Sequence, residues 1–329
     1  MNLIDRIIFV ACLMSLVGCQ TITQVNDPSN TYTPETTYQK LVGDYPFIGI
    51  ASSSVPESVM EIKNITYQRY GKRALQLDLY LPKRPAASSV SGIVLVHGGG
   101  WRSGYRTNFT PMAIGLAERG YVAATITYRL SDEVQYPAAI HDVKAAIRWL
   151  RKNSKKYGVN PNQIAVAGGS AGGQIASLAG VTKGLEKFDP QMKRSAVSSD
   201  VQAIINIDGL SDFTSEAARF YEDDPRKNPS AAGAWFGGRY AEKQDLWREA
   251  SPIFYVDKDT PPILFLISAQ PRFSLGHKEM IEKMRPMGVP YQVSQIPDSP
   301  HSFWLFDPWL KPSVVIIHEF LLQQFSWTK

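Results

Sequence analysis

Val166-Ala167-Gly168-Gly169-Ser170-Ala171-Gly172-Gly173 is the stretch whose reading decides the fold. The apolar run Ile164-Ala165-Val166 leads into it, and a helix-like pattern, Gln174-Ile175-Ala176-Ser177-Leu178-Ala179, follows. Strand, sharp glycine turn carrying a serine, then helix is the geometry of a nucleophile elbow. A side chain at Gly168 or Gly172 would collide where strand and helix meet. The turn holds Ser170 in a strained backbone region, with its hydroxyl above the strand ends. It also places the Ala171 N–H at a helix N-terminus, where developing negative charge is favoured. By itself the G-x-S-x-G pattern is weak, since about one chain in ten of this length contains it by chance. A glycine-rich turn of some other α/β protein is the competing reading, so the rest of the chain has to decide.

Working outward, Ile65-Thr66-Tyr67 and Leu75-Gln76-Leu77-Asp78-Leu79-Tyr80-Leu81 alternate around Gly71-Lys72 and predict an antiparallel hairpin. Gly92-Ile93-Val94-Leu95-Val96 is wholly apolar, as in a strand buried on both faces. After it the pattern predicts a helix over about 110–119, a strand over 121–128, a helix over 138–152 and then the elbow strand. Further strands are expected at Ala203–Ile207, Ile263–Ile267 and Tyr291–Ile296, with helices over about 276–287 and 312–325. Alternation of this kind means an α/β fold with a mostly parallel sheet, covered by helices on both faces. A small aromatic-rich insertion, Leu210 to Pro252, precedes the penultimate strand.

A second motif, His97-Gly98-Gly99-Gly100-Trp101, ends the first buried strand and is much rarer by chance. Adjacent glycines free backbone N–H groups to point outward together. Beside Ala171, Gly99 and Gly100 would donate to an oxyanion; losing one such donor typically costs about 3–4 kcal/mol. His97 fits a loop-fixing residue better than a catalyst. A phosphate-cradling loop is disfavoured because no Lys or Ser/Thr follows in P-loop spacing.

The chain has 329 residues, 44% of them hydrophobic, and a net charge of +5. Positive charges such as Lys152, Lys155, Lys156, Lys183 and Lys187 are scattered, with no basic run interleaved with aromatics, so nucleic acid is not an expected partner. The five histidines show no metal-ligand spacing, and no cofactor or metal is expected. At the N-terminus, the apolar core of residues 1–18 runs for about eleven residues, from Ile7 to Val17, too few to span a bilayer, and the segment is expected to be a signal peptide. The ending Leu16-Val17-Gly18-Cys19 resembles the lipobox of bacterial lipoproteins, which implies lipidation at Cys19 and a membrane partner through that anchor. Gln20 in the next position implies the outer membrane of the cell envelope. Cys12 would leave with the peptide, so no disulfide is expected. Residues 19–56 are expected to form a tether and extension, of which Leu41 to Ile50 is apolar enough to dock on one large α/β domain spanning 57–329.

With both glycine motifs in view, residues 60–327 resemble the α/β-hydrolase superfamily. More narrowly they are similar to carboxylesterases of the hormone-sensitive-lipase-like and feruloyl- and acetyl-esterase-like group. The resemblance implies a serine carboxylesterase acting through an acyl-enzyme on Ser170, with chain order Ser, acid, His. Of the histidines, only His301 lies where the base belongs, after the last strand in Pro297-Asp298-Ser299-Pro300-His301. His318 sits mid-helix, and His141 and His277 lie near helix starts.

The family usually places its acid in the loop after the strand at Ile263–Ile267. Here that loop reads Ser268-Ala269-Gln270-Pro271-Arg272-Phe273-Ser274 and has no carboxylate. Asp208, at the end of the preceding strand, is the first choice, followed by Asp298 and Glu279. A chain with no acid at all would be a weak enzyme or a binding protein.

Aromatic residues in the insertion (Phe220, Tyr221, Trp235, Phe236, Tyr240, Trp247) and after His301 (Phe303, Trp304, Phe306, Trp309) are each expected first to pack a cap core; those that stand near the mouth of the site could stack on a sugar or aromatic acyl group. The expected substrate is a short-acyl or aromatic-acyl ester, on a carbohydrate. An amidase or exopeptidase on the same scaffold, and a non-catalytic glycan-binding surface lipoprotein, remain as rivals.

Overall fold

The computed structural model describes residues 31–85 and 89–326. The expected signal peptide, Cys19 and the first part of the expected tether therefore lie outside the described residues.

In chain order the elements are α1 (Pro34–Leu41), β1 (Gly49–Ile50), β2 (Val59–Tyr70), β3 (Arg73–Pro82), β4 (Val90–Val96), α2 (Thr110–Ala117), β5 (Val122–Ile126), α3 (Ala138–Lys152), the single turn α4 (Ser154–Tyr157), β6 (Val159–Gly169) and α5 (Ala171–Val181). They continue with β7 (Ala203–Ile207), α6 (Glu216–Glu222), α7 (Ala231–Phe236), α8 (Tyr240–Glu249), β8 (Ile263–Ile267), α9 (His277–Met284), β9 (Tyr291–Gln295), β10 (Phe306–Asp307) and α10 (Leu310–Ser326). Eight strands form one sheet in the order β2-β3-β5-β4-β6-β7-β8-β9. The hairpin β2–β3 and its neighbour β5 pair antiparallel, and every pair from β5–β4 to β8–β9 is parallel.

Strict alternation along the buried strands builds a core on each face. Val94, Val96, Val166, Ile204 and Phe265 meet α3, α5 and α9 on one side. Ile93, Leu95, Ala167, Ile205 and Leu266 meet α2 and α10 on the other. This is the α/β-hydrolase fold. Its consequence for function lies in the register. Val96 pairs with Gly168, Gly168 with Asn206, and Ile207 with Leu266. Strands that end level with one another deliver their following loops to a single carboxyl-terminal edge, where open α/β sheets place their ligands.

Two parts of the chain pack differently from a plain hydrolase sheet. Residues 31–51 lie against the second core: Ile48 is buried, Tyr45 sits edge-on to Trp309 at 5.6 Å, and β1 pairs with β10. The insertion between β7 and β8 folds into α6, α7 and α8 around its own aromatic residues. Trp235, Phe236 and Trp247 are buried there with Phe213, and Trp235 stacks on Trp101 at 5.1 Å. The expected core packing holds for Trp235, Phe236 and Trp247, which fill the inside of the cap, and Phe303, Trp304, Phe306 and Trp309 are likewise buried, in the core on the α2 and α10 face. Indole and phenyl rings bury more apolar area inside a small three-helix cap than they could at an open rim, which decides the packing. Phe220 and Tyr221 are the exposed members of the set.

Candidate active site

Ser170 stands between β6 and α5 with φ 57° and ψ −124°, a conformation costly for any residue with a side chain. Its backbone N–H donates to Ile207 O at 2.8 Å, which anchors the turn to β7. Close approach makes the flanking glycines obligatory. A Cβ on Gly172 would lie 2.1 Å from Val96 O, and one on Gly168 would lie 2.2 Å from Gly172 O. The loop after β4 presses on the same turn, because a Cβ on Gly98 would lie 2.7 Å from Gly169 O and 3.1 Å from Ser170 Cβ.

His301 connects the serine to Asp208. Ser170 Oγ lies 2.9 Å from His301 Nε2, and His301 Nδ1 lies 3.0 Å from Asp208 Oδ2. A buried carboxylate only accepts hydrogen bonds, so Nδ1 carries the proton and Nε2 is left to accept from the serine hydroxyl. Asp208 Oδ1 accepts the Ser268 backbone N–H at 2.8 Å. The loop after β8, which lacks a carboxylate, thus supplies a donor that fixes one. The same loop supplies Phe273, whose ring stacks on His301 with centroids 3.5 Å apart and planes 7° apart, while Trp304 meets the imidazole edge-on at 5.3 Å. With its ring covered, the His301 side chain is 16% exposed, and that of Asp208 is fully buried. Burial holds the His301 pKa below the ordinary value, against the upward pull of Asp208 and with a small downward push from Arg272.

The other acid candidates are elsewhere. Asp298 is exposed in a turn at φ 49°, and Glu279 is exposed on α9. Neither bonds His301. The remaining histidines also have separate partners: His141 Nε2 contacts Lys187 O, His277 Nδ1 contacts Ser274 O, and His318 Nδ1 meets Tyr121 OH.

The glycine loop after β4 is held by buried polar contacts. His97 donates from Nδ1 to Gly98 O at 2.8 Å and stacks on Tyr128, whose hydroxyl donates to His97 O at 3.0 Å. Burial pushes the His97 pKa down to about 4, so the ring is neutral. Gly99 lies at φ 118°, and its carbonyl accepts both the N–H and the hydroxyl of Ser103 at 3.1 Å. Trp101 Nε1 donates to Gln174 Oε1 at 3.0 Å, tying the loop to α5.

Gly99, Gly100, Ala171, Ser170, Asp208 and His301 all border one cavity of about 340 Å³. Trp101, Leu210, Ala231 and Phe273 give it an apolar part; Tyr32, Lys40, Ser103, Glu222 and Ser302 give it a polar part. Phe273 and Glu222 carry no signature as cavity residues in the sequence, since neither belongs to a motif or a periodic pattern. Tyr32 and Lys40 precede the first sheet strand and reach the site only by tertiary docking, with Tyr32 OH donating to Ser302 Oγ at 3.0 Å.

A serine on a strained turn after β6, an aspartate after β7 and a histidine after β9, on a mostly parallel sheet, define an α/β-hydrolase with the chain order Ser, acid, His. The BD-FAE family model matches residues 77–270, more than half of the chain, and the chain belongs to that family. It is 31% identical over 205 residues to the probable carboxylic ester hydrolase LipM of Mycobacterium tuberculosis, covering 62% of this chain and 46% of that protein. With the esterase LipQ of the same organism it is 34% identical over 177 residues, 53% of this chain and 40% of that one. The chain thus spans about half the length of the curated relatives it matches. Among solved structures, a bifunctional GH43-CE protein of Bacteroides eggerthii superposes with a TM-score of 0.67 at 25% identity, over 80% of this chain and 38% of that one. A truncated carbohydrate esterase from gut microbiota superposes with a TM-score of 0.66 over 82% of this chain and 98% of that one; at 24% identity it speaks for the fold alone.

Two outcomes follow from this geometry. Asp208→Asn should lower kcat on an activated ester by about four orders of magnitude, because the imidazole loses its orienting acceptor, whereas Asp298→Asn should stay within about a factor of two. Steady-state kinetics of the two variants reads this directly, and the reverse ranking would reassign the acid. The base works only when neutral. With its pKa below the ordinary histidine value of 6.5, kcat/KM should rise with pH through a midpoint under that value and then hold level. A profile over roughly pH 4.5 to 8 with its midpoint above the ordinary value would contradict the burial-driven shift.

Proposed function

We propose that the protein is a serine ester hydrolase acting on short-acyl esters, with carbohydrate-linked esters as its substrate class. The observation that carries this reading is the hydrogen-bonded series Ser170, His301, Asp208 at the floor of a cavity that also exposes Gly99, Gly100 and Ala171. In the reaction, His301 Nε2 takes the Ser170 proton as Oγ attacks the ester carbonyl. The backbone N–H groups of Ala171 and of the Gly99–Gly100 loop receive the oxyanion. Collapse breaks the bond to the alcohol oxygen, which leaves with the proton held by His301, and the acyl group stays on Ser170. Water then attacks the acyl-enzyme with His301 as base, releasing the acid and restoring the serine hydroxyl.

The binding-protein alternative was motivated by the empty β8 loop, and Asp208 removes that motive. A cavity of about 340 Å³ is near the lower end for small-molecule sites, which favours a short acyl group over a long chain. Its mixed lining, with polar groups beside apolar ones, supports a sugar as the alcohol. Ser170→Ala should reduce hydrolysis of 4-nitrophenyl acetate by roughly a millionfold, to background. Equal rates in the two folded proteins would reject the reading.

We also propose that the protein is held in the bacterial cell envelope by a lipid on Cys19, a reading supported by the ending Leu16-Val17-Gly18-Cys19. Labelled palmitate should enter the wild-type protein but not Cys19→Ala, and a wild-type chain without label would reject the anchor.

A further inference from the structure

Glu222 is a carboxylate set into the wall of the substrate cavity with no hydrogen-bond or ion-pair partner among the described residues. It ends α6, is half-buried, and borders the same cavity as Ser170, Gly100 and His301. Among the described residues it makes no hydrogen bond and no ion pair, although Arg239, Lys227 and Arg226 on the same cap pair with its neighbours Asp223 and Asp224. A partly desolvated carboxylate has lost some of its hydration, so donors supplied by a ligand in the cavity would stabilise it. Burial accordingly raises its pKa, while Arg272 and Lys227 oppose the rise.

The neighbours decide which donors fit. Lys40 borders the same cavity, and the Arg272 guanidinium lies over the rings of Tyr221 and Phe273 beside it. Two cations around the opening disfavour an ammonium substrate. Neutral hydroxyl groups face no such penalty and satisfy a carboxylate, which accepts at about four lone-pair sites. The cap is also held at the reacting centre, because Ala231 at the start of α7 lies 3.3 Å from where a Cβ of Gly100 would stand.

We infer that Glu222 is a specificity-determining residue that accepts hydrogen bonds from free hydroxyl groups on the alcohol part of a sugar ester. The inference rests on the ester-hydrolase reading and adds to it the residue that reads the polyol. It is tested by comparing kcat/KM for partially acetylated xylo-oligosaccharides with kcat/KM for 4-nitrophenyl acetate, which lacks free hydroxyls. In Glu222→Ala the ratio of the two should fall about tenfold, the effect of losing one charge-assisted hydrogen bond. Glu222→Gln, of the same shape and still able to accept, should recover most of the ratio and guards against a folding defect in the alanine variant. An unchanged ratio in Glu222→Ala would overturn the inference, as would a wild type that cleaves 4-nitrophenyl acetate but not the sugar esters; either result leaves the ester hydrolase standing. A higher ratio in Glu222→Ala, or a preference for cationic esters lost with the carboxylate, would also overturn it. Failure of the wild type on every ester would instead sink the reading beneath it.

Discussion

Three backbone segments meet at Ser170 with no room for a Cβ between them. The end of β4, the turn after β6 and the start of α5 approach so closely that Gly98, Gly168 and Gly172 each face a backbone oxygen at a distance a side chain cannot occupy. That contact holds the serine in its strained conformation and brings the His97–Trp101 loop beside the N-terminus of α5. The strain is affordable because the strands beneath are packed on both faces and end in register. The remaining features of the site rest on this junction.

The acid illustrates how a catalytic group can move along a sheet edge without changing the chemistry. β7 and β8 are parallel neighbours that end level, so a carboxylate at the end of either can reach an imidazole presented by the loop after β9. Here the carboxylate stands on β7 as Asp208, and the β8 loop contributes the Ser268 N–H and the Phe273 ring. The ring covers His301 and excludes water from one face of it, which favours the neutral base. Stacking also restricts the imidazole to the plane in which Nε2 points at Ser170.

The aromatic residues of the insertion and the N-terminal segment shape the cavity indirectly. Trp235 and Trp247 hold α6, α7 and α8 together, and the stack of Trp235 on Trp101 ties this cap to the glycine loop. On the other side, Tyr32 is fastened through its hydroxyl to Ser302 and through its carbonyl to Asn108 Nδ2 at 3.0 Å. The walls are therefore set by packing between distant parts of the chain, and Glu222 is among the polar groups they expose.

Local sequence determined the sheet, the elbow and the glycine loop, because strand periodicity and the absence of a Cβ act over a few residues. It also narrowed the base to His301 by chain order, although His301 lies beyond the span matched by the family model. The choice among Asp208, Asp298 and Glu279 was not legible: all three are carboxylates near the ends of elements, and only strand register shows which one points at Nδ1. The division of the aromatics between core and mouth is not legible in the sequence for a related reason. A ring at a cap position has the same sequence appearance whether it faces solvent or its neighbours, and burial is decided by how three short helices close on one another. Cavity residues such as Phe273, Glu222 and Tyr32 came from tertiary structure alone, since their meeting depends on contacts between segments up to about 270 residues apart.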